Sequence, residues 1–361
     1  MPLDTTSSFD EARRQIEICN ACRYCEGFCS VFPAMTRQKA FADGDLTQLA
    51  NLCHNCRGCY YACQYTAPHE FDLNIPAALA EVRVESWERL ARPQAIARLF
   101  QTHGVAMAGL LAAALAFFFW ALAALKPQDG AGFYAHLAHN TMVAIFVPAF
   151  LAPLGLIALS VRDYWRETGG GRFRLIHVLR AFDNAARMKN LSGGHGEGCN
   201  FEDGDRFSDR RRVFHQLMMY GFLLCFAATA SGTIMHYAFG WEAPYPLFSL
   251  PKLLGVPGGV MMVAGAAGLA WLKLRADATL GAVRVWGGEM AFILLLGAVA
   301  LTGLALYAAT GTGLTGPLLA IHLACVMVLF LLMPFSKMVH GFFRLAALVA
   351  EAAKPAPAGG E

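Results

Sequence analysis

Charge is scarce in this chain. Lys, Arg, Asp and Glu together make up 15% of its 361 residues, against roughly 25% in a soluble globular domain. With 56% hydrophobic residues and a mean hydropathy of +0.42, much of the chain must lie in lipid. A net charge of +3 supplies no basic stripe, so nucleic acid is not an expected partner. Residues 1–18 carry Asp4, Asp10, Glu11, Arg13, Arg14 and Glu17 around no apolar core, so no secretory signal peptide is expected there. Also missing are a nucleotide-binding fingerprint, a carboxylate constellation and an activated nucleophile, which places any substrate chemistry in another protein.

What the chain does have is cysteine in a dense pattern. Cys19, Cys22, Cys25 and Cys29 form C-x2-C-x2-C-x3-C, and Cys53, Cys56, Cys59 and Cys63 repeat it after a gap of 23 residues. Two-residue gaps let one tight loop wrap three thiolates around a cluster, and the fourth Cys of each run crosses to the other cluster. The expected sets are Cys19, Cys22, Cys25 and Cys63 for cluster I, and Cys53, Cys56, Cys59 and Cys29 for cluster II, both [4Fe–4S]. Structural zinc and disulfides are the rival readings. Zinc sites take two well-separated Cys pairs, whereas four close thiols occur here twice. The scattered Cys199, Cys225 and Cys325 show no second metal motif. Tyr60, Tyr61 and Tyr65 are expected to shield a cluster, and His54 and His69 to make hydrogen bonds rather than ligate.

In chain order, residues 9–18 read as a short helix, residues 37–52 as a second, and residues 74–100 as an amphipathic helical stretch. Six apolar spans follow, at about 104–125, 141–161, 213–239, 255–272, 290–309 and 317–335, each near the length needed to cross ~30 Å of hydrocarbon at ~1.5 Å per residue. The segment 162–212 holds eleven Lys and Arg residues, which places it in the cytoplasm by the positive-inside rule, together with the cysteine-rich head and both termini. The expected domains are thus a two-cluster head (1–73), a connector (74–103), a membrane domain (104–345) with the loop 162–212, and a disordered tail (346–361). The fold class is mainly α.

Ionisable side chains within spans are functional candidates because burying them in lipid without a partner is unfavourable. His215 and His236 lie near the two ends of the third span. His322 and His340 lie eighteen residues apart, and on one straight helix they would share a face about 27 Å apart. Matching depths suggests two b-type haems, one between His215 and His340 on the inner side and one between His236 and His322 on the outer side. Simple interfacial roles are the alternative. His103, His136, His139 and His177 are reserve ligands. The Gly-rich piece 192–199 lacks the strand and helix of a phosphate loop; it reads as a flexible loop or as a docking surface or haem cover built on His195 and Cys199.

The paired cysteine runs, the histidine-bearing spans, Gly194-His-Gly-Glu-Gly-Cys199 and Arg210-Arg-Arg-Val-Phe-His215 resemble the tricarballylate/citrate-utilisation B proteins. The cysteine runs alone also look like the helical ferredoxin domains of succinate dehydrogenase and heterodisulfide reductase iron–sulfur subunits. The histidine spans look like the cytochrome b subunit of respiratory nitrate reductase. The family resemblance implies [4Fe–4S] clusters, haem b, and a role as electron-transfer subunit between a soluble FAD-dependent dehydrogenase and a membrane quinone, in a bacterial inner (cytoplasmic) membrane. Rival expectations are a carrier from quinol to a soluble reductase, and a haem-free membrane redox sensor or cluster carrier.

Overall fold

The computed structural model describes residues 7–125, 132–193 and 196–354; Lys126, His195 and residues 355–361 lie outside them. Every regular element among the described residues is helical, and the single extended pairing is a bridge between Cys199 and Ser208. The head contains α1 (Ser8–Cys22), α2 (Val31–Thr36), α3 (Asp43–Leu52), α4 (Gly58–Tyr61) and α5 (Ile75–Leu90). Its helices start where the sequence supplies caps. The Ser7 hydroxyl accepts from the Asp10 N–H at 3.1 Å, and Asn74 Oδ1 accepts from the Ala77 N–H at 3.2 Å, each satisfying a donor that the first helical turn leaves open.

Six helices are long and apolar enough to cross a membrane. They are α6 (Gln94–Leu125), α7 (His139–Glu167), α9 (Arg210–Phe239), α10 (Leu250–Arg275), α11 (Trp286–Ala308) and α12 (Thr315–Leu332), with α8 (Leu175–Arg187) between the second and third and α13 (Val339–Ala353) after the sixth. α12 packs on α6 and α11, while α9 lies along α10. Glycine permits the α9–α10 contact: a methyl group at Gly221 would fall 2.7 Å from the Gly258 carbonyl oxygen, and one at Gly265 2.7 Å from the Met218 amide nitrogen.

Three boundaries differ from the sequence expectations. The connector is not separate: α6 starts at Gln94 and runs into the first span with a kink at His103. The supposed tail is helical through Ala353, with Ala346 to Ala350 buried. These residues were read as disordered because composition cannot reveal that the head offers them a surface to pack on. The sixth helix is also not straight. It ends at Leu332, passes through a 3-10 turn at Met333–Phe335 and resumes at Val339, because Pro334 cannot continue the hydrogen-bond ladder.

The head and membrane domain share one core. Phe32, Met35, Leu46, Leu49, Leu79 and Trp87 are buried together with Tyr164 of α7 and Phe343 and Ala347 of α13. Polar bonds lock the junction: Tyr164 donates to Gln48 Oε1 at 2.6 Å, Gln48 donates to the Ala347 carbonyl at 2.9 Å, and Thr47 donates to Glu167 at 3.0 Å. Buried polar groups satisfied in this way fix the orientation of the two parts.

Candidate functional site

All eleven cysteines are free. The two runs bend around two cavities. One, of about 230 Å³, is lined by Cys19, Cys22, Cys25 and Cys63 with Tyr24, Tyr60 and Tyr65. The other is much smaller and is lined by Cys29, Cys53, Cys56 and Cys59. Cys59 also reaches the wall of the first cavity. Each cavity therefore takes three thiols from one run and the fourth from the other. Left-handed backbone at Arg23 (φ 56°), Asn55 (φ 51°) and Arg57 (φ 72°) turns the chain at the loops, a conformation that non-glycine residues hold only where the surroundings impose it. Tyr60 and Tyr65 stand at the first cavity as expected; Tyr61 is not in its wall.

The thiols are crowded and poorly solvated. Burial, then the neighbouring Cys25, Cys63 and Cys22, pushes the Cys19 thiol up to about 12, and burial with Cys63 and Cys22 takes Cys25 to about 11. Burial, then Cys56 and Cys53, raises Cys29 far above the ordinary thiol range. Such groups become thiolates only against compensating positive charge, which iron supplies. Among the described residues no three His, Cys, Asp or Glu side chains converge on a point that would suit a single metal ion. Thiols on the walls of a cavity fit a polynuclear centre instead. The Asn55 N–H points to Cys53 Sγ and the Tyr65 N–H to Cys63 Sγ, both at 3.4 Å, the kind of bond that tunes cluster potential.

The segment after α8 covers the second set. The Asn200 N–H donates to the Cys56 carbonyl at 2.9 Å, and the bridge between Cys199 and Ser208 closes the cover. Phe201 lies between two guanidinium groups, that of Arg57 at 4.6 Å and that of Arg211 at 4.1 Å from the ring centre. Cys199 is thus buried in a lid over the cysteines. His54 donates from Nδ1 to the Leu52 carbonyl at 2.8 Å, and burial with Arg344, Arg211 and Arg83 nearby holds it well below the ordinary histidine range. His69 accepts from the Phe71 N–H at 3.1 Å.

At the head side of the membrane helices, His215 and His340 come together with ring centres 5.9 Å apart and planes at 83°. An imidazole nitrogen sits about 2.0 Å from a metal it binds, so two rings on opposite sides of one iron have centres about 6 Å apart. His340 Nδ1 bonds the Lys337 carbonyl; a carbonyl only accepts, so the proton is on Nδ1 and Nε2 is left as a free base. His215 Nδ1 is buried without a partner. A side chain at Gly341 would meet nothing within 4 Å, so there is room beside His340. The pair fits the axial ligands of a haem.

The far pair is not assembled. His236 stacks on His139 with ring centres 4.0 Å apart, too close for an iron between them. His322 bonds Thr302 Oγ1 through Nδ1 at 3.0 Å, and it is not among the rings around His236, which are Tyr134, His139 and Tyr237; His236 Nδ1, like that of His215, is buried without a partner. The expected His236–His322 pairing assumed that helices at equal depth also face one another. α9 is turned onto α10 and His322 onto α11, so equal depth does not bring them together. Of the other reserve histidines, His103 is exposed at the α6 kink, the His136 ring lies against Gly316, and His177 accepts from the Arg174 N–H in the first turn of α8 at 3.2 Å.

Sequence reading missed the residues that join these two groups. Arg344 donates to the Cys53 carbonyl at 2.7 Å, Arg83 to the same carbonyl at 2.9 Å, and Arg211 to the Asn55 carbonyl at 2.7 Å. Arg211 lies one helical turn from His215 and Arg344 one turn from His340, so α9 and α13 each present an arginine to the second cysteine set and a histidine to the pair. Arg211 was visible only as part of a basic triplet that indicated topology.

The model of the family described as Citrate utilization protein B matches residues 92–359, and that of its Fer4-like domain matches residues 12–88. A protein described as Citrate utilization protein B from Escherichia coli is 45% identical over 344 residues, covering 94% of this chain and 90% of that protein. No solved structure gives a significant match.

Proposed function

The chain belongs to the citrate utilization protein B family, and we propose that it carries electrons from a reduced flavoprotein dehydrogenase, acting on a tricarballylate- or citrate-like acid, to a membrane quinone. Cys19, Cys22, Cys25 and Cys63 would hold one [4Fe–4S] cluster, Cys53, Cys56, Cys59 and Cys29 a second, and His215 and His340 a haem b. When bound, these groups supply one-electron steps, which suits a chain with no substrate chemistry of its own. Bis-histidine ligation leaves no open iron position and so favours electron transfer over ligand binding.

The observation that carries this reading is the pair of arginine–histidine turns. Arg211 with His215 and Arg344 with His340 tie the backbone of the second cysteine set to the two imidazoles. The protein's part is to hold the centres in fixed relation and exclude water between them. The first set is the more open: Cys22 is exposed and Tyr24 is 74% exposed beside it, which makes that side the face for a soluble flavoprotein. The lid of residues 199–208 closes the second set.

The purified chain, reconstituted in liposomes and reduced under anaerobic conditions with dithionite removed afterwards, tests the route. Addition of a short-chain quinone should reoxidise the haem bands and the broad iron–sulfur absorbance together. A reduced haem that persists after quinone addition would overturn the quinone-linked reading.

A further inference from the structure

Four arginines surround the second cysteine set and have no carboxylate within ion-pair distance among the described residues. Arg83 and Arg344 converge on the Cys53 carbonyl, Arg211 holds the Asn55 carbonyl, and Arg57 bonds Asn55 Oδ1 and the Phe201 carbonyl, both at 3.1 Å. None of them takes part in an ion pair. Arg57 and Arg83 are buried, and Arg344 Nε is buried without a partner. The nearby carboxylates are engaged or set apart. Glu289 is shared by Lys273 at 2.5 Å and Lys337 at 2.6 Å, Asp277 accepts from Thr279, and Glu202 in the lid has only Arg210, at 4.0 Å. Arg211 and Arg344 are half-buried; cations gathered in poorly solvated surroundings without close ion-pair partners are unfavourable, and an anionic centre among them would offset that cost.

The first set has no such surroundings. Near it Arg14 is paired with Glu11 and Arg13 with Asp10 and Asp43, while Arg23, at the position equivalent to Arg57, is exposed and donates to the Asn20 carbonyl at 3.1 Å. Two motifs of the same spacing therefore differ in that the cations beside the second are more buried than those beside the first.

Resting on the reading of the two sets as [4Fe–4S] clusters, we propose that Arg57, Arg83, Arg211 and Arg344 hold the second centre at a higher reduction potential than the first, and so direct electrons from the head surface towards the membrane. Reduction adds one negative charge to a centre, and fixed positive charge nearby stabilises that added charge in a low-dielectric interior. The favoured transfer moves one electron from the first centre to the second. No bond forms or breaks and no proton moves. The reductant upstream is the reduced flavin already invoked. The arginines act through charge on the centre; they do not ligate it.

Redox titration of the purified full-length protein followed by low-temperature EPR tests the proposal. Two cluster signals are expected, the one of higher potential being the second. Arg344→Gln should lower the midpoint of that signal alone, shifting the equilibrium share of the electron away from it by about tenfold, or about 59 mV for one electron, and Arg344→Lys should restore most of it. Arg211→Gln, from a different helix, should shift the same signal if Arg344→Gln does not fold. Equal shifts of both signals, no shift in either, or an effect confined to the lower-potential signal would overturn the arginine assignment. Absence of any cluster signal in the unmodified protein would instead overturn the cluster reading beneath it.

Discussion

The two ends of the membrane helices contain the same kinds of residue and use them differently. At the end next to the head, His215 and His340 face each other at 5.9 Å and each is one turn from an arginine bonded to the second cysteine set. At the far end, His236 is stacked on His139 and His322 is bonded to Thr302, and among the described residues no pair of histidine rings there is found at ligand spacing. A histidine in a span is therefore not informative by depth alone. What distinguishes the near end is attachment: its histidines sit on helices that the head grips.

Removing cysteines should break the near end most severely. Cys63→Ser and Cys29→Ser should each reduce non-haem iron from about eight to about four per chain. Because of the crossover, Cys63→Ser should abolish the cluster of the first set and Cys29→Ser that of the second, as read by iron assay and EPR. Loss of the cluster of the same run in each variant would show that the fourth cysteines do not cross. Next in size is Phe343→Ala, which empties a fully buried place where the ring meets Trp87 and Tyr164. It should cost about 3–5 kcal/mol and lower the thermal midpoint of the head, read by loss of iron–sulfur absorbance on heating. Unchanged stability would mean that the head does not depend on α13.

Smaller effects belong to the rest of the bundle. Gly221→Val drives a side chain into the Gly258 carbonyl and should destabilise the α9–α10 contact by about 1–3 kcal/mol, seen as a lower melting temperature in detergent with haem still bound at room temperature. His236→Leu should change least, leaving the haem content of the purified protein as it was. Haem loss from His236→Leu would make the two ends equivalent and remove the contrast drawn here.

Much of this organisation is legible in the sequence, and the rest is hidden for physical reasons. The cysteine sets are read from spacing because one loop must wrap one cluster, and the six spans are read from length and hydropathy because lipid imposes both. Pairing of His215 with His340 was reached from depth, although the straight helix behind that arithmetic is broken at Pro334. The structure does not bring His236 and His322 together, because depth fixes one coordinate and leaves helix rotation free. The arginines could not be found in this way at all. Arg83, Arg211 and Arg344 come from α5, α9 and α13, and nothing local marks a cation that will end up buried beside a thiol. Asn200 and Phe201 are hidden similarly, since the Gly-rich stretch before them reads as flexible while their contacts with Cys56, Arg57 and Arg211 are long-range.

The measurement closest to the central claim is haem per chain. Detergent-purified protein, assayed by pyridine haemochrome and by oxidised and dithionite-reduced spectra, should contain one haem b, with sharp reduced bands that vanish in His215→Leu and remain in His322→Leu. Two haems per chain, or bands that survive His215→Leu, would contradict a single haem held at the head side of the membrane.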